Sequence, residues 1–448
     1  MREDWTEAKI GEILLIERGG SPRPIKEFIT KESSGINWIK IGDTQKGSKY
    51  ITSTEEKIKV EGLKKTRIVE PGDFILSNSM SFGRPFIMGI KGAIHDGWLA
   101  LRNSNSIFDT DFLYYSLSSP NVYSQFDKLA TGSTVRNLNS ELVAKVVVSV
   151  PPLPEQRAIV KKLESLFSSL DAGIADLKKA QQQLKMYRQA VLKKAFEGEL
   201  TNSEMELISL ANLTTILGDG LHGTPKYSDS GEYYFINGNN LKEGKIILKP
   251  ETKRVDKIEF EKYKKNLGNS TVLVSINGTI GNTAFYNNEN VVLGKSACYF
   301  NLNDEIDKYY IRYNLTTKRF LHYAVNNATG STIMNVGLKT MREYLVPVPK
   351  NRIEQNEIVK QIESRLSVCD SIEQNIKESL EKAEALRQSI LKKAFEGNLL
   401  TAQELAECKQ AADYEPASVL LERVKAEQNT TTAKPGKRKP SHSVAKHE

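Results

Sequence analysis

The sequence lacks the residue constellations that the common catalytic sites require. Gly294-Lys295-Ser296 resembles the end of a phosphate-binding loop, but Glu289 stands where the first glycine must be. Pro151-Pro152 lies between Val150 and Leu153, which is not the arrangement that amino-methylating enzymes use to hold a flipped base. The five histidines are dispersed, and none stands with cysteine or aspartate at metal-ligand spacing: His95, His222, His322, His442 and His447. We therefore predict that this chain is not itself an enzyme and holds no cofactor or metal.

A second group of polar side chains is suited to recognition rather than to catalysis. Arginine and asparagine can hydrogen-bond the edges of guanine and adenine respectively, and glycine-rich loops let a backbone approach phosphate closely. The candidates in the first half of the chain are Arg23, Lys26, Asn78, Arg84, Arg136 and Asn137. Those in the second half are His222, Lys226, Asn239, Asn277, Asn282, Asn335 and Lys339. For each of them, the alternative is an ordinary solvated residue or a turn residue.

The composition is that of an ordinary soluble protein. The 448 residues, 39% of them hydrophobic, are enough for two to four domains and exclude collagen-like, wholly disordered and disulfide-scaffold classes. No apolar run is long enough to cross a membrane, and the charged start lacks an apolar signal region. We therefore expect a cytoplasmic protein that makes no membrane contact. The net charge of +8 permits nucleic-acid binding but does not establish it.

The chain contains one long internal repeat. The run RQAVLKKAFEG at 188–198 returns as RQSILKKAFEG at 387–397, and the run TGST at 131–134 returns at 329–332. Asn137 and Asn335 follow the two TGST runs at the same distance, and Gly20-Ser21-Pro22 resembles Gly223-Thr224-Pro225. The period of about 199 residues is far too long for a solenoid, so a whole domain and its connector are duplicated.

Each copy divides into a variable segment and a connector. The segments 1–150 and 202–350 carry short β-type runs punctuated by Gly, Asn, Asp and Pro, which predicts two compact α+β domains. Residues 151–201 and 351–401 are the connectors. Residues 402–448 contain a shorter helical region at 402–428, followed by a basic tail from Asn429 that we predict to be disordered.

The connectors have the pattern of long helices. Residues 155–196 and 354–395 contain no proline, and a continuous helix of this length spans about 63 Å. Apolar residues recur with a 3.5-residue period, which favours a coiled coil. The predicted seam comprises Leu163, Leu170, Leu177, Leu184 and Val191 in the first copy, and Ile362, Leu366, Ile376, Leu380 and Ile390 in the second.

The simplest arrangement packs the two helices on each other. Antiparallel packing would bury both seams and relate the two domains by a pseudo-two-fold axis. The alternative is that each helix packs only on its own domain. We therefore predict an α+β fold in which two tandem domains are joined by two long helices that form an antiparallel coiled coil.

These motifs together resemble the specificity subunit of Type I restriction-modification enzymes. Each copy has a Gly-Ser/Thr-Pro turn, a TGST loop, a Glu-Gln helix entry at 155–156 or 354–355, and a Lys-Lys-Ala-Phe-Glu-Gly helix exit. The resemblance covers nearly the whole chain and is strongest in the blocks from TGST to AFEG. The second copy departs from the pattern at Lys350-Asn351-Arg352-Ile353 and lacks a clear counterpart of Trp5.

The resemblance implies a division of labour between subunits. The two variable domains would be target-recognition domains, each reading one half of a bipartite, asymmetric site in double-stranded DNA, and the helices would set the gap. Two modification subunits, which bind S-adenosylmethionine and methylate adenine at N6, would assemble on this chain. Two restriction subunits, which use ATP and Mg²⁺ to translocate and cleave DNA, would complete a complex that serves phage defence.

Two other functions stay open at this point. The weak charge asymmetry would also suit an adaptor that holds two interaction domains on a coiled-coil strut and binds no DNA. A stand-alone enzyme is disfavoured by the motif search. Sequence-selective DNA binding by the assembled complex separates the first function from the adaptor.

Overall fold

The structure is a computed structural model that describes residues 2–45, 47–78, 82–104, 106–130, 137–330 and 333–432. The chain forms two compact units. Unit 1 comprises Met1–Ala175 and Leu380–Glu448, and unit 2 comprises Asp176–Ser379. Each unit therefore contains one variable segment together with parts of both connectors.

The described part of unit 1 has twelve short strands. They are β1 (Thr6–Lys9), β2 (Leu15–Arg18), β3 (Ile29–Thr30), β4 (Ile36–Ile39), β5 (Tyr50–Ile51), β6 (Glu56–Ile58), β7 (Arg67–Val69), β8 (Phe74–Ser77), β9 (Pro85–Met88), β10 (Gly92–Ile94), β11 (Trp98–Arg102) and β12 (Val147–Val150). Two five-stranded sheets have the orders β3-β6-β4-β10-β7 and β2-β11-β8-β9-β5, and β1 pairs with β12. The pairs β4–β10 and β5–β9 are parallel.

The strand β8 explains how the two sheets of unit 1 are held together. Ile75 points into a core shared by both sheets, whereas Phe74 and Leu76 point into a second core, because successive side chains of a strand alternate between its faces. The second core is closed by the helices α1 (Ile10–Ile13), α3 (Thr110–Leu117), α4 (Pro120–Ala130) and α5 (Ser140–Ala144), while α2 (Ile25–Phe28) lies outside it. The first long helix, α6 (Leu153–Phe196), adds the buried side chain of Leu163 to this core.

Unit 2 repeats this design with fewer strands among its described residues. They are β13 (Met205–Ser209), β14 (Thr214–Asp219), β15 (Tyr233–Ile236), β16 (Leu241–Lys242), β17 (Lys245–Ile246), β18 (Arg254–Val255), β19 (Thr271–Ser275), β20 (Thr283–Phe285), β21 (Val291–Leu293), β22 (Ala297–Leu302) and β23 (Leu345–Pro349). The sheets are β14-β22-β19-β20, β18-β15-β21, β16-β17 and β13-β23. The helices are α7 (Lys257–Tyr263), α8 (Lys308–Asn314), α9 (Lys318–Asn326), α10 (Leu338–Glu343) and the second long helix, α11 (Arg352–Phe395).

Equivalent hydrogen bonds relate the two units residue by residue. Ile94 pairs with the parallel strand at Ile39, as Leu293 does at Ile236. The carbonyl of Ile94 accepts from Gly20 N at 3.1 Å, and that of Leu293 accepts from Leu221 N at 2.7 Å. Gly20 therefore corresponds to Leu221, and the predicted match of Gly20-Ser21-Pro22 with Gly223-Thr224-Pro225 is wrong by two residues.

A buried glutamine fixes the entry to each long helix. Oε1 of Gln156 accepts from Asp109 N at 2.8 Å, and its Nε2 donates to Ile107 O and Pro151 O. In unit 2, Gln355 makes the corresponding bonds to Asp307 N at 2.8 Å and Glu305 O at 2.9 Å. Because Asp109 and Asp307 are the N-caps of α3 and α8, each glutamine ties a long helix to its own domain.

The two long helices run antiparallel. In unit 1, the part of α6 that contains Asp171 packs on the end of α11, where Arg387 pairs with that carboxylate. In unit 2, the last part of α6 packs on the first half of α11, where Arg188 pairs with Asp370 at 2.7 Å. Both helices end at a glycine with positive φ, Gly198 at 82° and Gly397 at 79°, a conformation that L side chains rarely adopt.

The predicted fold class is confirmed: an α+β fold with two tandem domains and two long helices packed together. The described seam residues are buried or half-buried. Leu163, Leu184, Val191, Ile362, Ile376 and Ile390 are buried, and Leu170, Leu177, Leu366 and Leu380 are half-buried.

The C-terminal segment differs from the prediction in where its helical part ends. The helical region predicted at 402–428 contains two helices, α12 (Ala402–Lys409) and α13 (Ala417–Thr432). Helix α13 continues to Thr432, beyond Asn429 where the tail was predicted to begin, while residues 433–448 lie outside the described residues. Both helices are anchored in unit 1, because Cys408, Leu420 and Val424 are buried in its larger core.

Candidate nucleic-acid interface

One edge of the unit 2 sheet brings together three of the seven candidate side chains of that unit, those of Asn277, Asn282 and Asn335. Strands β14 and β19 end at this edge at Asp219 and Ser275, and β22 begins there at Ala297. The register confirms the alignment, since Asp219 and Val274 both pair with Cys298. We call this edge, with the loops that leave it, the polar edge of unit 2.

Two loops meet on the polar edge of unit 2. Asn277 and Asn335 form an antiparallel bridge, and Nδ2 of Asn277 lies 3.4 Å from Oδ1 of Asn335. Thr329 and Asn335 close the second loop through reciprocal backbone bonds of 2.9 and 2.8 Å. The structure therefore brings together two asparagines that are 58 residues apart in the chain.

The same two loops are joined in unit 1. Val336 N donates to Ile276 O at 2.8 Å in unit 2, and Leu138 N donates to Asn78 O at 2.8 Å in unit 1. Asn137, which precedes Leu138, is exposed. Arg136 and the first TGST run lie outside the described residues, as do Ser331 and Thr332.

Arg84 and Asn282 occupy the same backbone position in their units. Ser77 N donates to Arg84 O at 3.1 Å, as Ser275 N donates to Asn282 O at 2.8 Å. The glycine before each residue has positive φ, 77° at Gly83 and 90° at Gly281, which turns the chain back to the strand it left. One scaffold position thus presents an exposed arginine in unit 1 and a half-exposed asparagine in unit 2.

The side chain of Asn78 stabilises its loop and is not exposed at the surface. Its side chain is 2% exposed, and Nδ2 donates to Asp96 O at 2.8 Å. The bond holds the loop after β8 against the loop before β11. The position that corresponds to Asn78 in unit 2 is Ile276, which is also buried.

A cluster around Asp96 forms the polar edge of unit 1. Oδ1 of Asp96 accepts from Ser21 Oγ at 2.8 Å, and Oδ2 lies 3.8 Å from Nη2 of Arg23, whose side chain is 83% exposed. Burial alone raises the pKa of Asp96. The hydrogen bonds from Ser21 and from the backbone, together with nearby positive charge, outweigh this effect, so the pKa is lowered overall. Lys26 is exposed on α2. The cluster leaves one exposed guanidinium beside a firmly ionised carboxylate.

His95 lies behind this cluster. The backbone N–H groups of Ile41 and Gly97 lie 3.2 and 2.6 Å from its two ring nitrogens, and a neutral imidazole can accept from one of them. Burial lowers the pKa of His95, against the opposing charge of Asp96. Ser21, Arg23, Trp38 and His95 help to line a cavity of about 700 Å³.

The remaining candidates in unit 2 are distributed over neighbouring elements. His222 is largely exposed, and its Nε2 lies 2.6 Å from Oδ2 of Asp219. Lys226 donates its backbone N–H to Glu259, Asn239 is exposed on a short 3-10 helix, and exposed Lys339 faces Glu343 one turn along α10.

Sequence reasoning missed the residues that hold these candidates in place. Asp96, Asp219 and Ser296 were not selected, although Ser296 accepts from Gly238 N at 2.8 Å and lies 3.1 Å from Oδ1 of Asn237. The signals that the sequence offered were a following glycine at Asp96 and Asp219, and the position of Ser296 directly before an apolar run. Within the described residues there is no group of three His, Cys, Asp or Glu side chains suited to a metal ion, and no helix there is long and apolar enough to cross a membrane.

The long helices present apolar side chains to solvent in unit 2. A groove of about 480 Å³ lies between α6 and α11, and Tyr187, Val368 and Ile372 line it. These three side chains are 50, 57 and 42% exposed. Apolar side chains grouped in this way are typical of a surface that another protein covers.

Comparison with known proteins finds relatives along nearly the whole chain. The family model described as Type I restriction modification DNA specificity domain matches twice, at residues 2–181 and 202–382. The specificity subunit of the Type I restriction enzyme EcoBI of Escherichia coli is 25% identical, over 98% of this chain and 95% of that protein. The StySPI specificity subunit of Salmonella potsdam is 27% identical, over 98% of each.

Solved structures resemble the fold over a similar span. A chain from a structural study of complex assembly and conformational transition of the type I R-M system has a TM-score of 0.70 and 18% identity, over 89% of this chain and 99% of that chain. The crystal structure of the HsdS subunit from Thermoanaerobacter tengcongensis has a TM-score of 0.57 and 18% identity, over 89% and 98%.

Proposed function

Because the chain belongs to the family of Type I restriction modification DNA specificity domains, we propose that its two recognition domains read the two halves of a bipartite, asymmetric DNA site. The long helices set the gap between the halves and dock the modification subunits. The chain contributes recognition, and the chemistry belongs to its partners.

The observation that carries this proposal is the shared position of Arg84 and Asn282. Two units with the same loop geometry present different base-reading groups at the same place, since arginine suits guanine and asparagine suits adenine in the major groove. A duplicated scaffold with different reading groups predicts two different half-sites. An adaptor that binds no DNA gives no reason for this difference.

The partners follow from the same division of labour. Two modification subunits carry S-adenosylmethionine and transfer its methyl group to adenine N6. Two restriction subunits supply the ATP- and Mg²⁺-dependent translocation and cleavage. The groove lined by Tyr187, Val368 and Ile372 suits a modification subunit, because burying these side chains against a partner removes apolar surface from water.

The experiment is methylation of a random DNA library by the chain assembled with its modification subunits. We expect one motif with two specified halves and a gap of fixed length. Replacement of residues 202–350 by those of a relative should change one half and leave the other half and the gap unchanged. Replacement of residues 1–150 is the reciprocal control. A motif that survives both replacements unchanged contradicts the proposal.

Docking is tested separately from recognition. Val368→Asp places a charge in the apolar groove and should prevent co-purification of a modification subunit, whereas the exposed neighbour Ser367→Asp should not. Equal assembly of both variants would show that the modification subunits dock elsewhere.

A further inference from the structure

A half-buried cation joins the recognition domain of unit 1 to its long helix. Lys49, next to β5, is ion-paired with Asp111 of α3, and its Nζ lies 3.5 Å from Oε1 of Glu164 on α6. The side chain is 17% exposed, and Nζ lies 5.1 Å from the ring centre of Tyr115. Burial lowers the pKa of Lys49, but the Asp111 hydrogen bond and charge outweigh it, so the pKa is raised and the group stays charged.

Unit 2 has a glycine at the position of this lysine. The carbonyl of Lys49 accepts from Ile87 N at 3.0 Å, and that of Gly244 accepts from Phe285 N at 3.0 Å. Ile87 and Phe285 are equivalent, because each pairs with the corresponding residue of the central strand, Phe74 or Val272. Unit 2 therefore has no lysine at the position of Lys49, but it has another cation nearby.

In unit 2 the cation comes from the following helix. Arg312 lies five residues after the N-cap Asp307, where unit 1 has Tyr114 five residues after Asp109. A Cβ atom on Gly244 would lie only 3.1 Å from Nε and 3.3 Å from Cζ of Arg312. Arg312 thus fills the space that the Lys49 side chain enters in unit 1.

Two of the groups near the cation have counterparts in both units, although Tyr309 stands in unit 2 where unit 1 has Asp111. The guanidinium of Arg312 lies 5.0 Å from the ring centre of Tyr313, the counterpart of Tyr115. The hydroxyl of Tyr313 donates to Oε1 of Glu363 at 3.4 Å. Glu363 occupies the position in α11 that Glu164 occupies in α6. Each unit therefore has a cation beside one tyrosine, and a glutamate of a long helix lies near the cation in unit 1 and accepts from the tyrosine in unit 2.

In unit 1 these contacts continue to the second helix. The ring of Tyr115 meets that of Phe167 edge-on at 5.8 Å, and the guanidinium of Arg387 lies 4.6 Å over Phe167. Arg387 in turn pairs with Asp171. The cation is therefore connected through packed rings to the ion pair that holds α6 and α11 together.

We propose that Lys49 and Arg312 are positioning residues that hold each recognition domain at one angle on the long helix of its own unit, and so restrict the gap that the complex accepts between half-sites. The inference rests on the proposed function. Packing alone does not require a charge here, and Nε of Arg312 is buried without a hydrogen-bond partner among the described residues. Burying a nitrogen without a hydrogen-bond partner costs stability. Because each unit nevertheless has a cation here, supplied by a different element, we infer a role for the charge in addition to packing.

The test uses the fact that the cation comes from a different element in each unit. The wild-type chain, Lys49→Gly, and the double variant Lys49→Gly with Tyr114→Arg are each assembled with the modification subunits. Binding is measured on unmethylated duplexes that carry the motif recognised by the wild-type complex. One duplex has the natural gap between the half-sites, and two others have a gap that is one base pair longer or shorter. Lys49→Gly should reduce the discrimination between gaps about tenfold, or about 1.4 kcal/mol. The double variant places the cation on the helix that supplies it in unit 2, and should restore discrimination to within about threefold of the wild-type value.

The controls separate positioning from folding. Lys91→Met removes an exposed lysine paired with Glu70 in the same domain and should change nothing. Unchanged gap discrimination in Lys49→Gly, or no rescue by arginine at position 114, would overturn the inference. If Lys49→Gly fails to assemble, Glu164→Gln carries the test, since it alters one exposed helix residue and should also weaken discrimination. A wild-type complex with no bipartite preference would instead contradict the proposed function.

Discussion

Nη2 of Arg188 lies 2.7 Å from Oδ1 of Asp370 and 2.9 Å from Oε2 of Glu373, which links the last part of α6 to the middle of α11 within unit 2. Arg387 and Asp171, the repeat equivalents of Arg188 and Asp370, make the same link in unit 1. Burial lowers the pKa of Arg188, but the Asp370 hydrogen bond and the nearby negative charges together outweigh it, so the pKa is raised. The helix register is therefore specified twice by the same pair of residue types.

Lengthening both helices together should lengthen the gap in the DNA site. Seven residues inserted after Gln182 in α6 and seven after Ile376 in α11 preserve the 3.5-residue seam. Each helix grows by about 10 Å, which corresponds to about three base pairs of DNA. The gap is read from the methylated motif of a strain that carries the variant.

An insertion in one helix alone is the matched control. Seven residues after Gln182 only would separate Arg188 from Asp370 and should abolish binding. A gap that stays the same in the double insertion would show that the helices do not set the spacing.

Loss of Arg84 should affect only one half-site. Arg84→Ala removes the group that we propose reads a base in unit 1, and should relax discrimination at one base pair of that half by about tenfold to a hundredfold. Asn282→Ala should do the same in the other half. Competition binding with single-base variants of the site measures both effects.

Lys91→Ala is the control for Arg84→Ala. Lys91 precedes β10, so it lies at the opposite end of that strand from His95 and the polar edge. Equal loss of discrimination at both halves in Arg84→Ala would mean that Arg84 supports the fold rather than reads a base.

Gln156→Leu should destabilise unit 1. The change leaves Asp109 N, Ile107 O and Pro151 O without the partner they have now and should lower the free energy of unfolding by about 3 kcal/mol. All three tryptophans, at positions 5, 38 and 98, lie in unit 1, so urea denaturation followed by tryptophan fluorescence reports on that unit.

Two controls accompany Gln156→Leu. Gln182→Leu, at an exposed position of the same helix, should leave the transition unchanged, and Gln355→Leu in unit 2 should shift it less than Gln156→Leu does. If Gln156→Leu and Gln182→Leu behave alike, the buried amide does not fix the helix entry.

His95 should make unit 1 less stable in acid. Because burial lowers its pKa in the folded chain below the ordinary value of 6.5, the unfolded chain takes up the proton first. The stabilising contribution of the neutral ring is therefore fully present above pH 6.5 and is lost as the pH falls through that value toward the lowered pKa. Tryptophan fluorescence monitors unfolding, since Trp38 and Trp98 lie 6.2 and 6.3 Å from the imidazole.

His95→Gln supplies the comparison. The variant should lose stability less steeply than the wild type between pH 6.5 and pH 5, because glutamine does not titrate. The same slope in both proteins would assign the acid sensitivity to other groups.

The repeat and the helix periodicity predicted the architecture because both are local features of the sequence. The polar edge was harder to predict, since its hydrogen bonds join segments distant in the chain. Asn78 was selected for its side-chain type, yet its amide bonds to the carbonyl of Asp96, which no local pattern indicates. Asp96 itself, which holds Ser21 and faces Arg23, was not selected.

The missing counterpart of Trp5 shows a second limit. Nε1 of Trp5 donates to the buried carboxylate of Glu155 at 2.8 Å. In unit 2 the equivalent strand position is Met205, and the equivalent glutamate, Glu354, instead exchanges hydrogen bonds with Asn351. Unit 1 thus has the Trp5–Glu155 pair where unit 2 has Met205 and the Asn351–Glu354 pair. Single-residue matching does not reveal such an exchange.

The glycine that follows each long helix ties the end of that helix to the start of a variable segment. A Cβ atom on Gly198 would meet Ser203 and Met205, which open the second variable segment, and one on Gly397 would meet Arg2 and Trp5, near the start of the first. Because both glycines have positive φ, a side chain at either position would be strained as well as crowded. A change at the end of either long helix therefore disturbs a recognition domain directly, so helix and domain are not free to vary independently at these two points.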